Sequence, residues 1–360
     1  MDAKRVTQKE SASLARPAGD KVVAAYVVDQ ALPSVTADDA RHLTHLLIAF
    51  GHIVKGLVQA DHLQHLDCLP MIRQANPSLR IMLSIGGWGA GGFSEAASSE
   101  NSRRQVAASA VDIMIRLGLD GLDLDWEYPC YAEAGIAASP ADKMHFTKLI
   151  RAFRDALDQA GQTAHRRYLL TIAAGADQYY LDGTEMDQVQ SSLDLVQLMT
   201  YDMRGGFQTL TGHHTNLYTS TGDLFRISAD ASVRMFHQAG VPLNKIVIGS
   251  AFYARKWQNV PDINHGLHQM TPSFGAAGGG YGELVDQFIN KSGFQRFWDD
   301  EAKAPWLFNG DTFISYDDPE SIRHKCAYVR QQGLAGIMYW QHGSDPTHTL
   351  LEAMAKAIQG

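Results

Sequence analysis

Cysteine is scarce in this chain. Cys68, Cys130 and Cys326 are odd in number, far apart and outside any CxxC pattern, so neither a zinc ribbon nor a disulfide framework organises the fold, and free thiols are expected. Charge is sparse as well. Asp, Glu, Lys and Arg make up 19% of the residues, against about 25% in an average globular protein. The balance is acidic, with a formal net charge of -8. That argues against nucleic acid or an anionic membrane as partner and suits a neutral polymer better. No stretch approaches the roughly 18 uncharged apolar residues of a transmembrane helix. Residues 1–20 read as a polar arm: Lys4, Arg5, Lys9, Glu10 and Arg16 interrupt them, leaving no apolar core for a secretory signal. The GxSxG and GxxxxGK[ST] patterns of serine hydrolases and P-loop enzymes are missing too.

What is present is a large apolar fraction, 45% of 360 residues, arranged in short strand-like runs that alternate with longer segments of helical period. That alternation marks repeated βα units on a parallel sheet. Eight runs stand out: Val22 to Val28, His45 to Gly51, Arg80 to Gly86, Gly121 to Glu127, Tyr168 to Ala174, Leu195 to Asp202, Lys245 to Tyr253 and Gly336 to Gln341. Between them the clearest helix is Ser139 to Ala160, where Phe146, Leu149, Ile150, Phe153 and Leu157 recur at i, i+3 and i+4. A doubly wound open sheet would show similar runs, but it should carry a GxGxxG turn after its first strand. Val22 to Val28 is followed by Asp29, Gln30 and Ala31 instead. The expected fold is therefore α/β, a TIM (β/α)8 barrel, which typically needs about 250 residues.

The connection from the seventh run to the eighth is far longer than a normal βα loop and its helix. It predicts a small α+β insertion between strand 7 and helix 7, placed at 257–311, with the barrel formed by 21–256 and 312–360. The insertion is Gly-rich from Ser273 to Gly282 and aromatic at Phe294, Phe297, Trp298, Trp306 and Phe308. Two readings of that density stay open, a small core or one wall of a long cleft.

The most informative segment is Asp120-Gly-Leu-Asp123-Leu-Asp125-Trp-Glu127-Tyr-Pro129. As a strand, its period of two sends Leu122, Leu124 and Trp126 to one face and Asp123, Asp125 and Glu127 to the other. Three carboxyl groups inside a barrel raise one another's pKa and resist desolvation, so at least one should hold a proton near neutral pH. Glu127 comes last, on the strand-end face where barrel active sites lie. A carboxyl tuned upward there can donate a proton to a leaving-group oxygen and then act as base on water. A divalent metal is the competing use of three carboxylates. Metal sites usually draw one ligand from each of several strands, however, whereas this row spans about 13 Å along one strand.

At these residues the sequence resembles the family 18 glycoside hydrolases, and the chitinases within it, whose signature reads DxxDxDxE and often continues WEYP. Asp120, Asp123, Asp125 and Glu127 match it, and the resemblance extends over about Val22 to Ile358. It implies a substrate-assisted mechanism. Glu127 would protonate the glycosidic oxygen, the substrate's own 2-acetamido carbonyl would attack the anomeric carbon, Asp125 would orient the acetamido N–H, and Asp123 would share a proton or hydrogen bond behind it. Ser84, Gly86 and Gly87 resemble the family's SxGG motif, with Ser84 beneath Asp123. Met199, Tyr201 and Asp202 resemble MxYD, where the tyrosine hydroxyl meets the acetamido oxygen. Tyr253 and Arg255 sit in Phe-Tyr-Ala-Arg, close to a frequent YGR. Trp340 corresponds to the tryptophan that floors the sugar site, and Tyr26 and Phe50 fit the aromatic lining. Gln341 stands where many relatives carry Glu.

Trp88, Tyr128 and Trp257, just beyond strand ends, could stack on pyranose faces. His213 and His214 are neighbours that point apart, so a loop-packing or surface role is expected rather than a metal site. The resemblance implies a chitinase that hydrolyses β-1,4-N-acetylglucosamine linkages in chitin or chito-oligosaccharides, as a monomer without cofactor or metal. The substrate suggests an extracellular or periplasmic location, with a cytoplasmic one left open by the N-terminus. Two rivals remain: an endo-β-N-acetylglucosaminidase acting on N-glycans, and an inactive chitin-binding lectin.

Overall fold

A computed structural model describes residues 21–360; the N-terminal arm, 1–20, lies outside the described residues. Eight parallel strands close on themselves: β1 (Val22–Val28), β2 (His45–Val54), β4 (Arg80–Gly86), β5 (Gly121–Asp125), β6 (Leu169–Gly175), β7 (Leu195–Met199), β8 (Ile246–Ala251) and β14 (Gly336–Trp340). β1 pairs with both β14 and β2, which seals the barrel. β2 runs on past the barrel rim to pair antiparallel with a short β3 (Leu57–Gln59).

The alternation of side chains sorts the sequence into two cores. Inside the barrel lie Val22, Ala24, Tyr26, Leu47, Met82, Ala173, Leu195, Val247 and Met338. Outside, Leu83, Leu122, Leu124, Ile172, Leu198 and Ile337 meet the helices. The helix Asp142–Ala164 buries Phe146, Leu149, Ile150, Phe153 and Leu157 as its period requires. It starts at Asp142 rather than Ser139, because the Asp142 carboxylate accepts the backbone N–H of Ser139 and the hydroxyl of Ser94.

Several runs end earlier than their apolar pattern suggests. β5 stops at Asp125 and β7 at Met199, so Glu127, Tyr201 and Asp202 ride on the turns beyond. The run Lys245 to Tyr253 divides in two. Its barrel part ends at Ala251, Phe252 donates its N–H to the Trp340 carbonyl, and Tyr253 opens a second sheet.

That second sheet is five-stranded and antiparallel: β9 (Tyr253–Trp257), β10 (Ala276–Gly280), β11 (Gln295–Asp299), β12 (Ala304–Phe308) and β13 (Phe313–Ser315), in the order β10-β9-β13-β12-β11. Its helix, Tyr281–Gln287, follows β10. One face forms a separate core of Trp257, Val260, Leu267, Trp306, Phe308 and Phe313. Of the insertion's aromatics, Trp306 and Phe308 belong to this core. The core also corrects the expected platform at Trp257. That side chain is 1% exposed, packs edge-on against Phe313 and donates its indole N–H to the Gln208 carbonyl. Regular alternation would place Trp257 on the face of Tyr253 and Arg255; instead Trp257 ends β9 inside the second core, while Tyr253 and Arg255 line the barrel mouth.

Candidate active site

β5 is flanked by β4 and β6, and their register sets the floor of the site. Asp123 lies level with Ser84 on one side and Thr171 on the other. Its carboxylate, fully buried, accepts four hydrogen bonds. Ser84 Oγ donates at 2.7 Å and the Tyr26 hydroxyl at 3.0 Å, both to Oδ2; Thr171 Oγ1 at 2.5 Å and Gln197 Nε2 at 3.2 Å both donate to Oδ1. Burial raises its pKa above the ordinary aspartate value, and these donors oppose the rise. Gly86 lets the neighbouring strand approach, because a Cβ there would fall 2.0 Å from the Asp125 carbonyl oxygen and its φ is 122°.

Asp125 comes two residues on. It is buried, and its Oδ1 has no hydrogen-bond partner. Burial, then the charges of Glu127 and Asp123, push its pKa well above the ordinary range. Glu127 follows at the rim, where burial lifts its pKa to about 7, opposed by a hydrogen bond with Tyr128 and aided by the charge of Asp202. The outward residue between them, Trp126, stacks on Phe93 at 5.3 Å and meets Phe146 edge-on, which anchors the end of the strand.

The opposite wall is built by β7 and β8. Thr200 Oγ1 accepts from the Gly249 N–H at 2.7 Å and donates to its carbonyl at 2.8 Å, replacing the ladder where β7 ends. Tyr201 then turns across Gly249, where a Cβ would stand 2.7 Å from its ring. Burial and the nearby carboxylates raise the Tyr201 phenol well above its usual value, so it stays a donor. Asp202 pairs with Arg255, whose Nε donates to Oδ1 at 2.6 Å. Burial would raise the Asp202 carboxyl, but His214 and Arg255 hold it below the ordinary range, ionised.

These groups surround a cavity of about 740 Å³, within the span usual for small-molecule pockets. Tyr26, Phe50, Trp88, Asp125, Glu127, Tyr128, Met199, Tyr201, Asp202, Tyr253, Arg255 and Trp340 line it. Trp340 and Phe50 stack at 5.5 Å, and Trp88 leans edge-on to Tyr128 at 6.4 Å. Asp123, Ser84, Gly86 and Gly87 lie outside this lining, as support, and the side of Gly87 is closed by the Phe50 ring. Asp120, the first residue of the acidic motif, is at the far end of β5. It accepts from the Ile81 N–H and from Arg73 and Arg166.

Sequence reasoning missed several contributors. Thr171 and Gln197 are polar residues in the middle of apolar strands, a signal that an interior polar group needs partners. Phe207, on the Gly205-Gly206 loop, reaches the Trp88 ring at 6.3 Å. His214 is buried beside Asp202 rather than at a surface. The cysteines are free as expected. Among the described residues no group of three or more His, Cys, Asp and Glu side chains is arranged to hold a metal ion, and no helix is long and apolar enough to cross a membrane.

Comparison with known proteins places this geometry. A solved family 18 N-acetylglucosaminidase from Paenibacillus barengoltzii is similar at 61% identity and a TM-score of 0.93, covering 94% of this chain and 100% of the other. Chitinase A1 of Niallia circulans is 35% identical over 79% of this chain and 43% of its own length. Chitotriosidase-1 of Mus musculus is 30% identical over 84% of this chain and 67% of its own. This chain thus spans less than half of the first of these curated relatives and about two thirds of the second. The profile of Glycosyl hydrolases family 18 matches residues 22–345, and the chain belongs to that family.

Proposed function

We propose that this protein is a retaining glycoside hydrolase that cleaves β-1,4-linked N-acetylglucosamine in chitin or chito-oligosaccharides. The observation that carries the reading is the pair at the cavity wall. Glu127 keeps its proton to about pH 7, and beside it Asp125 presents a buried oxygen without a partner. A pyranose resting on Trp340 brings its glycosidic oxygen to the Glu127 proton. Its acetamido N–H finds Asp125, and its carbonyl finds the Tyr201 hydroxyl. The acetamido oxygen attacks the anomeric carbon as Glu127 protonates the leaving oxygen; Glu127 then takes a proton from the water that opens the cyclic intermediate. Asp123, saturated by four donors, supplies a fixed negative charge beneath the developing cation. No cofactor or metal enters these steps.

A second reading, removal of single terminal N-acetylglucosamine units, is favoured by the cavity's shape. Beyond Trp340 no residue of the following loop lines it. That loop packs instead against Ala31 at Gly343 and against Gly280 and Gly282 at Ser344 and Pro346. The cavity extends among Trp88, Tyr131, Tyr179 and Phe207, and this reading assigns that part to the leaving group. The similar Paenibacillus enzyme is described as an N-acetylglucosaminidase.

Incubation with N-acetylglucosamine hexamer, with product length and anomer resolved in the first minutes, tests both readings. β-Anomers support acetamido participation and α-anomers refute it. Monomer as the first product selects the terminal reading, and dimer or mixed lengths select the internal one. Binding without cleavage replaces both with the lectin.

A further inference from the structure

Asp202 has a φ of 54°, in the left-handed region that favours glycine and that Asp enters more readily than most residues. Arg255, from β9, holds the carboxylate from one side at 2.6 Å. His214, from the loop after β7, holds the residue from the other. Its Nδ1 lies 3.4 Å from the Asp202 backbone nitrogen and 3.7 Å from Oδ1. The imidazole is fully buried, and its Nε2 meets no partner.

His214 is itself fixed from three directions. Its backbone N–H donates to Ser315 Oγ at 2.9 Å, its carbonyl accepts from Met203 at 3.1 Å, and its ring meets Tyr253 edge-on at 5.3 Å. The charged and titratable groups around it are Asp202 and Arg255 in front, Tyr253 at its edge, and Asp317 behind, the last neutralised by Lys325 at 2.6 Å. Asp202 in turn faces Glu127, which also has Tyr128 and Asp125 near it.

We propose that His214 is a positioning residue: its Nδ1 accepts the Asp202 backbone N–H and so keeps the Asp202 carboxylate, held by Arg255, at the wall of the cavity it shares with Glu127, where its charge acts on the acid. The inference rests on the reading of Glu127 as the acid. His214 does not touch the sugar and does not transfer a proton. Burial keeps its ring neutral, which leaves Nδ1 a lone pair to accept the Asp202 N–H.

The test is the pH dependence of kcat/KM on chito-oligosaccharide for the unmodified protein, His214→Ala, His214→Asn, Asp202→Asn and the double variant His214→Ala/Asp202→Asn, with Tm measured for each. The alkaline limb reports the acid in the free enzyme. His214→Ala should move it down by roughly half to one pH unit, in the direction of Asp202→Asn. The double variant should move no further than Asp202→Asn alone, since coupled residues are not additive. His214→Asn, which restores a short polar side chain, should recover most of the limb.

An alkaline limb unmoved in His214→Ala, with only Tm lowered, overturns the proposal, as does a shift that persists in full on the Asp202→Asn background. Should His214→Ala fail to fold, an unmoved limb in Asp202→Asn has the same force. Full activity in Glu127→Gln would overturn the assignment of the acid itself, which separates that failure from this one.

Discussion

Replacing Glu127 by Gln should remove activity and, at the same time, make the protein more stable in alkali. The side chain keeps its size but loses its charge. In the folded chain the Glu127 carboxyl is raised from 4.5 to about 7, chiefly by burial. Below about 4.5 the group is protonated in both folded and unfolded chains, and it costs the fold nothing. Between about 4.5 and 7 only the folded chain holds the proton, so stability falls by about 1.4 kcal/mol per pH unit. Above 7 the full penalty, of order 3 kcal/mol, is in place. Gln carries no such penalty. A chain of 360 residues at about 2.1 cal/mol/K per residue has an unfolding entropy near 0.75 kcal/mol/K, so the gain amounts to about 4 °C in Tm. Calorimetry of both proteins at pH 4.5 and pH 8 reads the difference directly, and initial rates on N-acetylglucosamine hexamer should fall by about 10² to 10⁴. An equal Tm difference at both pH values would refute the argument that burial tunes this carboxyl.

Three further outcomes are expected. Asp125→Asn should reduce kcat on the order of 10²-fold, because the fixed partner of the acetamido group changes its proton; an unchanged rate would argue against acetamido participation. Thr171→Val removes the 2.5 Å donor to Asp123 while keeping its shape, and should cost about 1 to 3 kcal/mol in a denaturant titration by leaving a buried carboxylate oxygen poorly paired. Gly249→Ala places a methyl 2.7 Å from the Tyr201 ring, so the ring must shift; kcat should fall roughly tenfold or more, with Tyr201→Phe in the same background adding little.

Much of the architecture can be read from local pattern. The eight strand-like runs and their interleaved helices require only that apolar residues recur with the period of the element that buries them, and that pattern is written residue by residue. The acidic strand is legible for the same reason. Carboxylates at every second position between Leu, Leu and Trp cannot be a solvated charge run, and a barrel sends them inward. Asp120 shows the limit of such reading. It belongs to the same motif, yet it sits at the opposite end of β5, paired with Arg73 and Arg166.

The residues that period and motif could not reach owe their places to contacts distant in sequence. Trp257 follows a strand end like Trp88 does, but a strand of the second sheet turns it into a private core, and its neighbours there are residues 260 to 313. Thr171 and Gln197 matter because barrel register sets them around Asp123 from strands 48 and 74 positions away. His214, from the loop after β7, and Arg255, from β9, meet across Asp202. By itself the sequence determined the βα alternation and the inward carboxyls, since each depends on a residue and its near neighbours. The tertiary structure alone decided which aromatics line the cavity, which carboxyl is saturated and which is left protonated, because burial and charge are properties of the assembled surroundings.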